Sequence, residues 1–434
     1  MREMKDSGIE WIGAIPAAWG VHRIASHFQE IKEKNTANAY SNALQFKMGK
    51  IIAKPQKWDE DETNETYSAY TVVHPNTIMI NGLNLEFDFV TQRVARVECN
   101  GIITSAYIAL SPRNDINAEY ICYLLKSYDA CRAFHSMGRG LRKILSYSEL
   151  KNKPIVVPPL AKQEHIAAFL DAECAEIDAV LEKTRASIEE YKKLKQAVIT
   201  QAVTKGVRGD RPMKDSGIEW IGDIPAEWEI RKIFRAINKV GDIDHYMPDS
   251  VDDGIPYLMT GDLQEKLSDV NLKRCKKVSF QDYEMLSSKI RVSKGDVIFA
   301  RYATIGTVCF VDTEDNILVS YACLIIKPNS SLLYGEFLFY YLKSTAFLEE
   351  IKQYIKANTQ ANVGLDSVSK AKIALPSVHE QQKIVEYLRD KCKKIDALIA
   401  KKQQYLTEIE NYKKSLIYEY VTGKKEVKTS VLAD

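Results

Sequence analysis

The stretch MKDSGIEWIGAIPAAW at Met4–Trp19 returns as MKDSGIEWIGDIPAEW at Met213–Trp228, with 14 of 16 positions identical. A second pair of anchors follows. Val157-Pro158-Pro159-Leu160, Gln163 and Ile177-Asp178-Ala179 match Leu375-Pro376, Gln381 and Ile395-Asp396-Ala397, and Cys174 and Cys392 fall into the same register. Self-similarity at so long a period means that a whole supersecondary frame is duplicated. Between the anchors the halves diverge, apart from echoes such as Tyr123–Ser127 against Tyr340–Ser344 and Pro112 against Pro328. The order is variable, constant, variable, constant: one scaffold presents two different surfaces.

The constant segments read as helix. Lys162 to Val203 contains neither Pro nor Gly, and as one helix it would extend about 63 Å. Leu170, Ile177, Tyr191 and Val198 recur by sevens, with Ile166, Val180 and Leu194 as a second row and Glu173, Thr184 and Ser187 as interruptions. From about Glu380 to Val421 the rows are Leu388, Ile395, Ile409 and Leu416, then Ile384, Leu398, Tyr405 and Tyr412, interrupted by Lys391 and Lys402. Two such seams in one chain predict an intramolecular coiled coil. Each helix leaves one variable segment and leads to the next repeat, so a pseudo-two-fold axis makes the pair antiparallel, with a variable domain at each end of a rigid spacer. Met4–Trp19 is then expected near the end of the second helix. Adjacent termini follow, and with them tolerance of circular permutation at Arg208-Gly209-Asp210.

The variable segments, about 20–157 and 229–374, read as α+β modules of matching order. The first shows strand-like runs at Tyr70–Ile80, Phe87–Glu98 and Ile102–Leu110, a helix from Ala118 to Phe134 and a return strand at Pro154–Val157. The second shows runs at Val297–Val311 and Leu318–Lys327, a helix at Tyr334–Ile355 and a strand at Ala371–Leu375. The expected divisions are 1–157 and 207–375 for the two modules with their repeat motifs. The helices then occupy 158–206 and 376–434, the latter with the C-terminal tail.

Composition narrows the function. A hydrophobic share of 45% with 27% charged residues belongs to a folded chain, and a net charge of +2 is no polycation. Nucleic-acid binding would therefore need locally clustered basic residues or phosphate contacts from partners. There is no apolar run of membrane-spanning length and no signal-peptide pattern, so a soluble, cytoplasmic chain with no membrane partner is expected. Eight cysteines without a C-x-x-C pair suggest reduced, mostly buried thiols rather than zinc ligands. Phosphate-loop, zinc-protease, nucleophile-elbow and amino-methyltransferase signatures are all absent, so neither catalytic residues nor a metal site are expected.

Polar loops carry the remaining chemistry. Arg132, Arg139, Arg142 and Lys143, with His135, cluster around Gly138 and Gly140 after the first module's helix. The equivalent loop of the second module offers Lys356, Asn358, Gln360 and Asn362, and Arg301, Tyr302 and Thr304 interrupt an apolar strand pair. Arg and Lys suit guanine edges and phosphates, whereas Asn and Gln can pair with adenine. Equivalent loops of different character are what two readers of different sequences would carry.

The whole pattern resembles the specificity subunit of type I restriction–modification systems. The likeness rests on Ser-Gly-Ile-Glu-Trp-Ile-Gly-x-Ile-Pro-x-x-Trp at 7–19 and 216–228. The closures, Leu145-Ser146 and Leu150 through Leu160 with Gln163, then Asn362, Leu365, Ile373–Pro376 and Glu380-Gln381, are also similar. One departure is Lys162-Gln163, where the family pattern has Glu-Gln as at Glu380-Gln381. The resemblance implies two target-recognition domains reading the halves of a split site in double-stranded DNA, separated by the antiparallel helices. It implies two modification subunits and further restriction subunits as partners. S-adenosylmethionine, ATP and Mg would be handled by those partners, with no cofactor and no catalysis in this chain. It also implies that Ile177, Leu181, Leu194, Ile395, Ile399 and Tyr412 serve the helix seam and partner docking. The competing readings are a coiled-coil adaptor and a stand-alone DNA-modifying enzyme.

Overall fold

The computed structural model describes residues 2–47, 49–55, 65–88, 92–113, 115–140, 143–302, 305–354 and 363–427. It is a mixed α+β chain that divides into two compact units, Met1–Arg185 with Gln404–Asp434, and Ala186–Gln403. Helices of 46 residues (Leu160–Lys205) and 44 residues (Val378–Val421) each contribute to both units.

Each unit is built on the same antiparallel four-stranded sheet. In the first, the order is Phe28–Glu30, Ile108–Pro112, Ile78–Ile80, Val94–Arg96; in the second it is Ile237–Gly241, Cys323–Pro328, Val297–Ala300, Val308–Phe310. A helix follows in both, Ala118–Ala130 and Gly335–Lys343, and packs onto the sheet through residues such as Tyr120, Leu124, Phe337 and Tyr341. The return strands Pro154–Val157 and Lys372–Leu375 pair with Gly20–Arg23 and Glu229–Lys232 before each long helix starts. The insertions differ. The first unit has a hairpin, Leu44–Lys47 with Lys50–Ala53, and the pair Thr71–Val73 with Gly101–Ile103. The second has a three-stranded sheet containing a parallel pair, Tyr257 against Leu318, and the helix Phe280–Ser287.

Several expected elements are subdivided. The run Tyr70–Ile80 is two strands around a turn at Asn76, and Val297–Val311 is likewise two strands. The helix from Ala118 breaks at Cys131, because Arg132 takes a left-handed φ of 59° before a short helix Ala133–Met137. The Tyr334–Ile355 helix breaks at Ser344, whose hydroxyl accepts from Phe347 N–H and restarts the chain as Thr345–Lys352. A side-chain cap competes locally with helix continuation.

Two glutamines explain the shared anchor. Gln163 is buried, accepts from Asn117 N–H at 2.8 Å and donates to Pro158 O at 2.8 Å. Gln381 accepts from Tyr334 N–H at 2.7 Å and donates to Leu332 O and Pro376 O. Each amide thus ties the start of the module helix, the end of the return strand and the first turn of the long helix. The neighbouring departure is also accounted for. Glu380 pairs with Arg211 at 2.6 Å and accepts from the Trp228 indole at 3.1 Å, whereas Lys162 reaches Glu426 at 3.0 Å.

The repeated Trp motifs close the frame. Gly206 and Gly423 end the long helices with φ of +76° and +68°; a Cβ at Gly423 would meet Pro16 and Trp19 at 2.6 and 2.8 Å. Glycine is needed there for both the left-handed turn and the close approach. Tyr418 donates to Trp11 O and Ile12 O, Lys424 to Ile12 O and Ala14 O, and Arg2 to Gly423 O. The first repeat motif therefore lies against the end of the second helix, as symmetry required. A permutant that joins residue 434 to residue 1 and opens at Arg208-Gly209-Asp210 is expected to fold. A circular dichroism melt without a cooperative transition would refute this.

The helices pair antiparallel within each unit: Asp178 with Lys413 (2.6 Å) and Arg185 with Glu410 (2.8 Å) in the first, Lys195 with Asp396 (2.8 Å) in the second. The seam differs by one residue from the expected second row. Cys174, Leu181 and Ile188 are buried and Lys195 is largely so, while Val180 and Leu194 are 40% and 48% exposed. In the partner helix Cys392 is buried and Ile399 half-buried, while Leu398, Tyr405 and Tyr412 are exposed. Leu194 and Tyr412 thus stand outside the internal seam; Ile177, Leu181, Ile395 and Ile399 stand in it. The misreading has a physical cause: the true positions of that row carry Lys195 and Lys413. Burial works against the Lys195 ammonium, but hydrogen bonding to Asp396 and the charge of Glu265 outweigh it and hold its pKa above the usual lysine value. Lys402 lies 5.8 Å from the centre of the Tyr191 ring.

Candidate nucleic-acid interface

In each module a backbone hydrogen bond clasps two loops. Leu145 N–H donates to Gly82 O at 2.9 Å, and Val363 N–H donates to Arg301 O at 3.1 Å. Leu145 and Val363 are equivalent positions in the duplicated frame, as are the loops that follow Ile80 and Ala300. Gly82 is obligatory here, since a Cβ would lie 2.2 Å from Leu145 O.

In the first module, Arg139 and Ile144 exchange backbone hydrogen bonds of 3.1 and 3.0 Å, closing a tight hairpin with Gly140 at φ +80° and Lys143 at φ 41°. The Arg139 side chain is 83% exposed, and Lys143 and Arg132 are also exposed. Below the hairpin, Ser146 and Glu149 form a capping box, and hydrogen bonding from the Ser146 hydroxyl brings the half-buried Glu149 carboxyl down to about 2. That anion sits 4.0 Å from Arg139 Nε. The facing loop, Asn81 to Asp88, is held from inside by Arg93. This fully buried guanidinium donates to Asn81 O (3.1 Å), Leu83 O (2.7 Å) and Asp88 O (2.7 Å). Arg93 N–H donates to Asp129, whose carboxyl is pushed up by burial against the lowering effect of that bond.

Arg301 provides the clasp carbonyl and Val363 follows directly on residues 356–362. Arg301 itself is engaged inside the module: its side chain is 10% exposed, paired with Asp242 at 2.9 Å, and its Nη2 donates to the Tyr302 hydroxyl at 3.0 Å. It positions Tyr302, which is half-buried with its ring 4.9 Å from the guanidinium carbon. Arg142, Thr304, Lys356, Asn358, Gln360 and Asn362 lie outside the described residues. Loop 81–88, Arg93 and Asp242 were missed by sequence reasoning, although Asn81-Gly82 is a turn signal between two apolar runs.

All eight cysteines are free and six are buried. Burial pushes the Cys309 and Cys323 thiols up to about 12, far from a reactive thiolate. Among the described residues, no group of three or more His, Cys, Asp or Glu could hold a metal ion, and no helix is long and apolar enough to cross a membrane.

Two α+β modules of matching topology, each with a main-chain bond at the equivalent position and each packed on a pair of long helices, make a duplicated scaffold that presents two different surfaces. The chain belongs to the type I restriction modification DNA specificity family, whose domain matches residues 99–190 and 225–411, more than half of the sequence. It is 25% identical over 432 residues to the type I restriction enzyme MjaVIII specificity subunit of Methanocaldococcus jannaschii, covering 95% of this chain and 94% of that one. It is 24% identical over 288 residues to the EcoBI specificity subunit of Escherichia coli, covering 65% and 60%. A chain solved in work on complex assembly and conformational transition of the type I R-M system shares the fold, with a TM-score of 0.69 at 14% identity over 95% of this chain and 99% of that one.

Proposed function

We propose that this chain reads a split target in double-stranded DNA, one half-site per module, as the non-catalytic specificity subunit of a cytoplasmic restriction–modification complex. The observation that carries this reading is the pair of equivalent clasped loops with unlike residues, cationic in one half and amide-rich in the other. A strut between two proteins would need no such divergence inside a repeated frame. Methyl transfer from S-adenosylmethionine would reside in two modification subunits, and ATP- and Mg-dependent translocation and cleavage in restriction subunits. Exposed apolar residues beside the seam, Leu194 and Tyr412 among them, are the surfaces offered to such partners.

The test is adenine methylation across the genome, read by single-molecule sequencing in cells carrying this chain with its modification subunit. A two-part motif with a fixed gap, lost on deletion of this chain, is expected. Replacing Arg139 and Arg142 together by Ala should weaken methylation governed by one half-site by about 10-fold or more, since a good bidentate base contact contributes roughly 1–3 kcal/mol. Equal relaxation of both half-sites would show that these arginines are not local readers.

A further inference from the structure

We infer that Phe87 is a reading residue of the first module, making an apolar contact with a base of its half-site; this rests on the function proposed above. Phe87 is 75% exposed, whereas Phe28 and Phe134 of the same unit are fully buried. Its exposure is not the result of a slack loop. Asp88 and Phe87 N–H both turn back to Asn84 O, and Asn84 supplies the left-handed φ of 54° that begins the turn. Leu85 is buried with its methyl against Gly138, and its N–H donates to Lys143 O at 3.2 Å. Arg93 grips three carbonyls of the loop from beneath, and His135 Nε2 lies 3.3 Å from Asp88 O.

The segment is held at several points and in that fixed form it presents the ring to solvent. The Leu85–Lys143 bond joins this turn to the hairpin that displays Arg139 and Lys143, so cationic and aromatic groups occupy one edge of the module. Phosphates suit the cations; the apolar ring suits a thymine methyl or an unstacked base face. Ordering entropy is already spent in the rigid turn, so the contact adds directly to binding.

The test uses the methyltransferase assembled from this chain and its modification subunit, with duplexes carrying the motif found by methylation sequencing. Phe87→Ala is expected to weaken binding about 5- to 100-fold, the range of one lost base–aromatic contact. Discrimination in the other half-site should stay unchanged, as should the slope of log affinity against log salt, which counts phosphate contacts. Loss of the effect when thymines of the half-site are replaced by uracil assigns the methyl group; rescue by Phe87→Trp but not Phe87→Leu assigns stacking, and either supports the inference. Binding within two-fold of the parent, or a reduced salt slope showing that the cationic hairpin has been lost, would overturn it. A parent complex with no half-site dependent on residues 20–157 would instead refute the functional reading itself.

Discussion

A heptad inserted into each long helix, between Thr184 and Ile188 and between Lys402 and Leu406, is expected to move methylation to sites whose gap is longer by about three base pairs. The seam alternates three- and four-residue steps, so seven residues in both helices return every seam residue to its own partner. Seven residues add about 10.5 Å of helix, close to three steps of 3.4 Å along DNA. Both half-site sequences should be unaltered, because no clasped loop is touched. Methylation at the original spacing should fall by about 1000-fold, towards the non-specific level. The same insertion in one helix alone would set Lys195 and Lys413 away from Asp396 and Asp178, and a loss of cooperative folding is expected. Genome-wide methylation decides the matter: an unchanged gap in the double insertion would end the idea that the helices measure the target.

Arg93→Met is expected to destabilise the first unit by about 3–5 kcal/mol, the scale of breaking a buried charged network by removing one partner. Methionine fills the volume but leaves the carbonyls of Asn81, Leu83 and Asp88 without their donors, each a buried acceptor that would have to be desolvated for nothing. It also removes a positive charge that lowers the Asp129 pKa against burial. The loop should then detach from the hairpin, so reading of the first half-site is lost while discrimination in the second persists. Chemical unfolding followed by circular dichroism and half-site-specific methylation would measure both effects. A loss below about 1 kcal/mol would mean that water replaces the guanidinium, and that the loop does not depend on it.

Much of the architecture was legible because it rests on local signals. The duplicated Trp motifs, the uninterrupted stretch from Lys162 and the strand Pro154–Val157 all announce themselves in the sequence and occur where expected. The helix seam was half legible. One row, Leu170 and Ile177 with Leu388 and Ile395, is apolar enough to see, but in the other row the seam positions are the half-buried Lys195 and Lys413, while their more apolar neighbours Leu194 and Tyr412 are exposed. Long charged side chains can occupy a seam when a partner waits across it. The site was legible in composition and not in assembly. Arg301 reads as a solvent-facing cation until Asp242, far upstream in sequence, is seen to neutralise it. The clasp is carried by main-chain atoms, which leave almost no trace in side-chain identity beyond Gly82.

The closing of the first unit by Leu416, Ile417 and Val421 has a consequence for biosynthesis. These residues belong to the same core as Ile9, Trp19 and Tyr120, and the hydroxyl of Tyr120 donates to Val421 O at 2.8 Å. At roughly 5–20 residues per second, the ribosome delivers them some ten to fifty seconds after Leu170. The second unit, Ala186–Gln403, is by then fully translated. The domain made first is thus the domain finished last, and a nascent chain stalled or clipped before Leu416 leaves its amino-terminal half with an open core for chaperones and proteases to find.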